Sequence, residues 1–163
     1  MFYIADDKCP RCKGLDPAVL FAGEVNLINK HLEEKGARLW IWGDRLLDGS
    51  VTGMGMWEAS MNNTEKAIDL ISKSVVICDW HYEKAIPTPA YFALKGFDVI
   101  ACPWRKPKVA ESQVQMMADF KHNSGSVLAF IQPSLDADAH AFVQLTPKIG
   151  HHPSNSPLPA TKP

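Results

Sequence analysis

Four times in succession the chain passes from a helix-length amphipathic segment, through a stop signal, into a short apolar run that ends in polar and aromatic residues. Asp16-Pro17 reads as an N-cap with proline in the first helical position, and Phe21, Val25, Ile28 and Leu32 follow at spacings of three and four before Gly36 closes the segment. Arg38–Trp42 then has the length and composition of a strand and ends at Gly43-Asp44. After the turn-rich stretch Gly49–Gly55, Asn63-Thr64 is expected to cap a helix over Glu65–Ile71, and Val75–Cys78 is the next strand, ending at Asp79-Trp80. Thr88-Pro89 opens a helix over Tyr91–Lys95, Gly96 stops it, and the strand Phe97–Cys102 runs out at Pro103-Trp104. Val109–Lys121, a stop at His122–Gly125 and the strand Ser126–Ile131 complete the pattern.

Helix and strand alternating at short spacing imply parallel strands joined by right-handed crossovers, hence an α/β fold. The strands hold few polar residues before their C-terminal ends, as expected where helices cover a parallel sheet. The expected domain occupies residues 1–145, and the proline-rich, polar segment 146–163 reads as a disordered tail.

With 46% apolar residues among 163, the chain can build a core, which excludes a disordered protein. A net charge of −1 offers no electrostatic footprint for nucleic acid or an anionic membrane. The sequence holds no apolar run of the length that spans a bilayer, and its start has no basic region followed by an apolar one. Cytoplasmic residence is the default expectation.

Asp44, Asp79, Trp80, His81, Tyr82, Glu83, Trp104 and Arg105 all fall just after strands, at the edge where parallel α/β folds place their sites. Flat indoles stack on the apolar faces of sugar rings while nearby carboxylates hold the hydroxyls. Trp42 with Asp44, Trp57 with Glu58, and Trp80 with Asp79 and Glu83 therefore suit a carbohydrate cleft. The alternative is that these indoles fill core layers. Asp6, Asp7, Asp44, Glu58, Asp79 and Glu83 are the acids available for glycoside chemistry, which ordinarily uses a carboxyl pair.

Cys9-Pro10-Arg11-Cys12 is a Cys-x-x-Cys pair that could be half a zinc site, a redox couple or a tight loop. A four-thiolate site with Cys78 and Cys102 is conceivable, since all four lie near expected strand ends. No serine-nucleophile elbow and no phosphate-cradling glycine loop is present. No cofactor is expected.

From Lys13 to about Phe130 the chain resembles the second half of the catalytic barrel of family 20 glycoside hydrolases, the hexosaminidase-like group. The matching stretches are Asp16–Gly36 leading into Leu39-Trp40-Ile41-Trp42-Gly43-Asp44, then Val75–Trp80, then Lys95-Gly96-Phe97-Asp98-Val99-Ile100. The resemblance implies a partial (β/α)8 TIM barrel, roughly its last four to five strands with their helices, as a fragment of a longer enzyme whose relatives are often exported. It implies hydrolysis of terminal N-acetylhexosamines by a substrate-assisted retaining mechanism, in which an Asp orients the acetamido group and an adjacent Glu is the acid. Phe2–Asp7 aligns with the strand that carries this pair, Asp6 as the orienting residue and Asp7 in place of the acid; alternatively the pair precedes Met1. Trp42 and Asp44, Trp80, and Trp104 match positions that line the family's sugar pocket. At the last strand the chain departs from the family, with Ile131-Gln132-Pro133 where a Trp and an acidic residue are usual.

Half a barrel exposes sheet edges, so self-association and inactivity of the isolated chain are expected. The rival expectation is a non-catalytic carbohydrate-binding or interaction module.

Overall fold

The computed structural model describes residues 9–124 and the strand Val127–Ala129. Asp6 and Asp7, the domain limit at residue 145 and the tail lie outside the described residues. The chain forms α1 (Pro17–Glu33), β1 (Trp40–Trp42), α2 (Gly49–Thr52), β2 (Val76–Asp79), α3 (Thr88–Leu94), β3 (Asp98–Ala101), α4 (Pro107–Ser124) and β4 (Val127–Ala129), with 3-10 turns at Asp44–Leu46 and Thr64–Asp69. All strand pairs are parallel, and the order across the sheet, β1-β2-β3-β4, follows chain order.

Local signals account for the helix ends. Asp16 Oδ1 accepts from the backbone N–H of Ala18 at 2.8 Å and of Val19 at 3.3 Å, so the predicted cap forms. At the other end Gly36 takes φ 72°, which lets Ala37 N–H reach the carbonyl of Leu32 at 2.9 Å. Gly96, at φ 87°, closes α3 by the same device through Phe97 N–H and Phe92 O, 3.2 Å apart.

Several expectations need correction. The buried stripe of α1 runs Ala18, Phe21, Ala22, Val25, Asn29, while Ile28 is exposed. Asn29 is buried because its Nδ2 donates to Ser74 Oγ at 2.9 Å. Asn63 does not cap with its side chain. It adopts φ 65°, and the following turn is 3-10, started instead by Ser60 Oγ accepting from Thr64 N–H at 3.1 Å. Within the turn-rich stretch, Asp48 caps the short α2 by accepting from Ser50 N–H at 2.8 Å. The last helix starts earlier, at Pro107, and runs through the expected stop to Ser124.

The register divides the sheet into two unlike faces. Trp40, Val76 and Asp98 align, as do Trp42, Cys78 and Ile100. Ile41, Val75, Ile77, Phe97 and Val99 point the other way and join the main core with Phe21, Ala22 and Val25 of α1 and Phe92 of α3. Ala101 continues that side against Met117 and Phe120 of α4. Every described helix residue in the core thus packs on one side of the sheet. The opposite face carries Val76, Cys78, Ile100 and Cys102, with Trp80 against them, and Trp40 and Trp42 stand about half exposed on β1. The expectation that Trp40 and Trp42 share an orientation follows from this alternation.

Candidate functional site

The two-residue alternation of β2 continues past its end and sorts the segment Asp79-Trp80-His81-Tyr82 into two halves. Asp79 and His81 turn to the helix side and are almost fully buried. Trp80 and Tyr82 turn to the side without helices, their rings 5.3 Å apart.

On the helix-free side the aromatic residues form a row across the strand ends. The indole Nε1–H of Trp80 donates to Asp44 Oδ1 at 3.3 Å. The Tyr82 ring meets Trp104 edge-on at 5.3 Å, and the Arg105 guanidinium lies over Trp104 at 3.6 Å. Arg105 takes a positive φ of 63°, an uncommon conformation for a residue with a side chain. Asp44 Oδ2 accepts from Arg45 Nε at 2.6 Å, both side chains being only 11% exposed, and Arg45 Nη2 also donates to the Met56 carbonyl at 2.7 Å. The row therefore runs Asp44, Trp80, Tyr82, Trp104, Arg105, drawing on the ends of β1, β2 and β3.

On the helix side the polar residues are locked into a buried network. Asp79 Oδ2 accepts from Thr88 Oγ1 at 2.9 Å, at the first turn of α3. Asp79 Oδ1 stands 3.3 Å from His81 Nε2, and His81 Nδ1 stands 2.9 Å from Glu58 Oε2. Burial disfavours the charged imidazole, but the Asp79 and Glu58 carboxylates outweigh it and hold the His81 pKa above its ordinary value. Gln113 Nε2 on α4 donates to the His81 carbonyl at 3.1 Å, which ties this corner to a second helix.

Glu58 reaches His81 because the loop that carries it is pinned. Ser60 N–H donates to Leu47 O at 2.8 Å and Gly49 N–H to Ser60 O at 2.9 Å. Thr64 Oγ1 donates to the Arg45 carbonyl at 3.0 Å and links the same loop to the strand end that bears Asp44. Beneath Trp80, the Cys78 and Cys102 thiols are buried neighbours, and Cys102 Sγ donates to the Ile100 carbonyl at 3.7 Å. Their mutual interaction lowers the Cys78 pKa, whereas the same interaction and burial raise that of Cys102. Tyr82 is also held above its usual range, first by burial and then by the nearby Cys102 and Glu58.

Of the expected site residues, Asp44, Trp80, Tyr82 and Trp104 come together, whereas Glu58 is held by His81 of the buried network and acts on the row only through its charge near Tyr82. Trp42 lies on the same sheet face, half exposed, and the Trp57 indole is largely exposed on a segment held by Arg45. Two pairings differ from expectation. Trp80 binds Asp44 rather than Asp79, because adjacent residues at a strand end face opposite sides. Glu83 points to solvent and pairs with Lys106. The four-thiolate site does not form: among the described residues no group of three or more His, Cys, Asp or Glu side chains is arranged to hold a metal ion. Arg45, Thr88 and Gln113 were not expected to contribute, and His81 had no assigned partner; the alternation along Asp79–Tyr82 is the signal that separates its two buried polar members from the two aromatic members on the opposite face. No protein-family model matches the chain, and no curated protein matches it.

Proposed function

We propose that this chain is part of a (β/α)8 barrel of the family 20 glycoside hydrolase type and that its strand-end row binds a terminal N-acetylhexosamine. The observation that carries the reading is the row itself: Trp80, Tyr82 and Trp104 side by side, flanked by Asp44, on the face of a parallel sheet opposite the described helices. Strand order that follows chain order, without the reversal of a doubly wound sheet, supports the barrel. Trp80 and Trp104 supply apolar surfaces for a pyranose ring, and Asp44 and Glu58 accept hydrogen bonds from its hydroxyls. Asp6 orients the acetamido group and Asp7 takes the position of the acid; hydrolysis requires the strands that complete the barrel, so the isolated chain binds without turnover. Self-association through β1 and β4, the outer strands among the described residues, is part of this reading.

One observation favours the second reading, a non-catalytic carbohydrate-binding module. Both oxygens of Asp44 and both of Asp79 are already engaged, the first with Trp80 and Arg45, the second with His81 and Thr88. Groups so held position a ligand better than they move protons.

The test is titration of the purified chain with N-acetylglucosamine, followed by tryptophan emission, beside an assay of an aryl N-acetylhexosaminide. Saturable quenching that Trp80→Ala abolishes, without turnover, is the expected result. Turnover lost in Asp7→Asn would place the catalytic acid in this chain. Absence of saturable binding would overturn the reading.

A further inference from the structure

The Cys-x-x-Cys turn lies just ahead of α1. Cys12 N–H and Lys13 N–H both donate to the Cys9 carbonyl, at 3.1 and 3.0 Å, and Leu15 N–H donates to the Cys12 carbonyl at 3.0 Å. The four-residue loop is thereby wound tightly enough to place the two sulfurs 2.9 Å apart. Both cysteines are half-buried, and Pro10 and Arg11 between them are exposed, so a small reagent reaches the pair from solvent. Cys78 and Cys102, by contrast, are buried under Trp80.

We infer that Cys9 and Cys12 form a thiol–disulfide couple that exchanges with low-molecular-weight disulfides such as oxidised glutathione. One thiolate attacks a sulfur of the oxidant, forming a mixed disulfide and releasing a glutathione thiolate. The second cysteine, as thiolate, attacks the protein sulfur of that mixed disulfide. The intramolecular S–S bond forms, and a second glutathione thiolate leaves. Two protein thiols have lost two electrons, one glutathione disulfide has been reduced to two thiols, and the protons of the cysteines end on them. The ring needs only that the sulfurs close to about 2.05 Å. Because the turn already holds them side by side, the second step is faster than any bimolecular competitor.

The oxidised loop braces the approach to α1, since Cys12 lies one turn ahead of the Asp16 cap. A loop this short removes little unfolded-chain entropy, so the couple acts as a reversible modification more than as a structural staple.

The experiment places the whole chain in glutathione redox buffers, quenches it with acid and locates disulfides by peptide mass mapping. Wild type is expected to lose a pair of hydrogens within the peptide that contains Cys9 and Cys12, with no lasting glutathione adduct. Cys9→Ser and Cys12→Ser should each keep glutathione on the remaining thiol, because nothing resolves the mixed disulfide. Cys78→Ser should react like wild type. Stable adducts on both cysteines of wild type, no reaction at either, protection of both by bound zinc, or a disulfide that maps instead to Cys78 and Cys102 would each overturn the inference.

Discussion

Nδ1 of His81 lies 2.9 Å from Oε2 of Glu58, a residue 23 positions earlier in the chain, and this contact joins a strand end to the loop that precedes β2. With Asp79 on its other nitrogen, His81 bridges two carboxylates inside the fold. The arrangement is stable when the ring is protonated, since a buried cation between two anions satisfies all three groups.

The pH dependence follows from that. The folded-state pKa of His81 is raised above the ordinary 6.5, so the protonated ring favours folding. This contribution is fully present below about pH 6.5 and is lost as pH rises through the raised folded-state value. Thermal melts across this window should show a loss of stability with rising pH in wild type. His81→Gln should flatten that dependence and cost about 3 kcal/mol at neutral pH, because Asp79 and Glu58 lose their shared cation.

Thr88 hydroxyl donates to a carboxylate that is 1% exposed, so its removal leaves a buried acceptor short of a partner. Thr88→Val, nearly the same in shape, should destabilise the chain by about 1–3 kcal/mol in denaturant unfolding. Thr88→Ser keeps the hydroxyl and should recover most of the loss.

Trp80→Phe removes the indole donor to Asp44 and keeps most of the apolar surface. On the proposed carbohydrate-binding role, affinity for the sugar should fall by about tenfold, the equivalent of one hydrogen bond in a partly desolvated site. Asp44→Asn should weaken binding further, since it removes the charge that holds Arg45 and puts an amide donor where Oδ2 accepts from Arg45 Nε. Fluorescence titration against N-acetylglucosamine measures both.

Gly43 links β1 to Asp44 with no room for a side chain. An added Cβ would stand 2.8 Å from Ile77 and Phe92. Gly43→Ala should cost about 1–3 kcal/mol by overpacking and should shift Asp44 away from Trp80. Unfolding curves read the first effect, and loss of the proposed sugar binding the second.

The order of elements was legible in the sequence because its causes are local. Asp16-Pro17 caps a helix by its own chemistry, Gly36 and Gly96 supply the backbone conformation that ends one, and apolar runs between such signals become strands. The helical segment expected over Glu65–Ile71 forms as the 3-10 turn Thr64–Asp69, but its start depends on Ser60, whose own position is set by pairing with Leu47, and not on a local Asn63 cap.

The sequence by itself determined that the strands are parallel, that polar and aromatic residues collect at their ends, and that Trp40 and Trp42 share a face. Which of those end residues meet was decided by tertiary structure alone. Asp44 reaches Trp80 across 36 positions, and Glu58 reaches His81 across 23, because strand register and the pinned loop bring them within bonding distance. Helix caps and strand alternation act between near neighbours in the chain, whereas the partner of a carboxylate depends on which backbones lie side by side, and no local pattern encodes that.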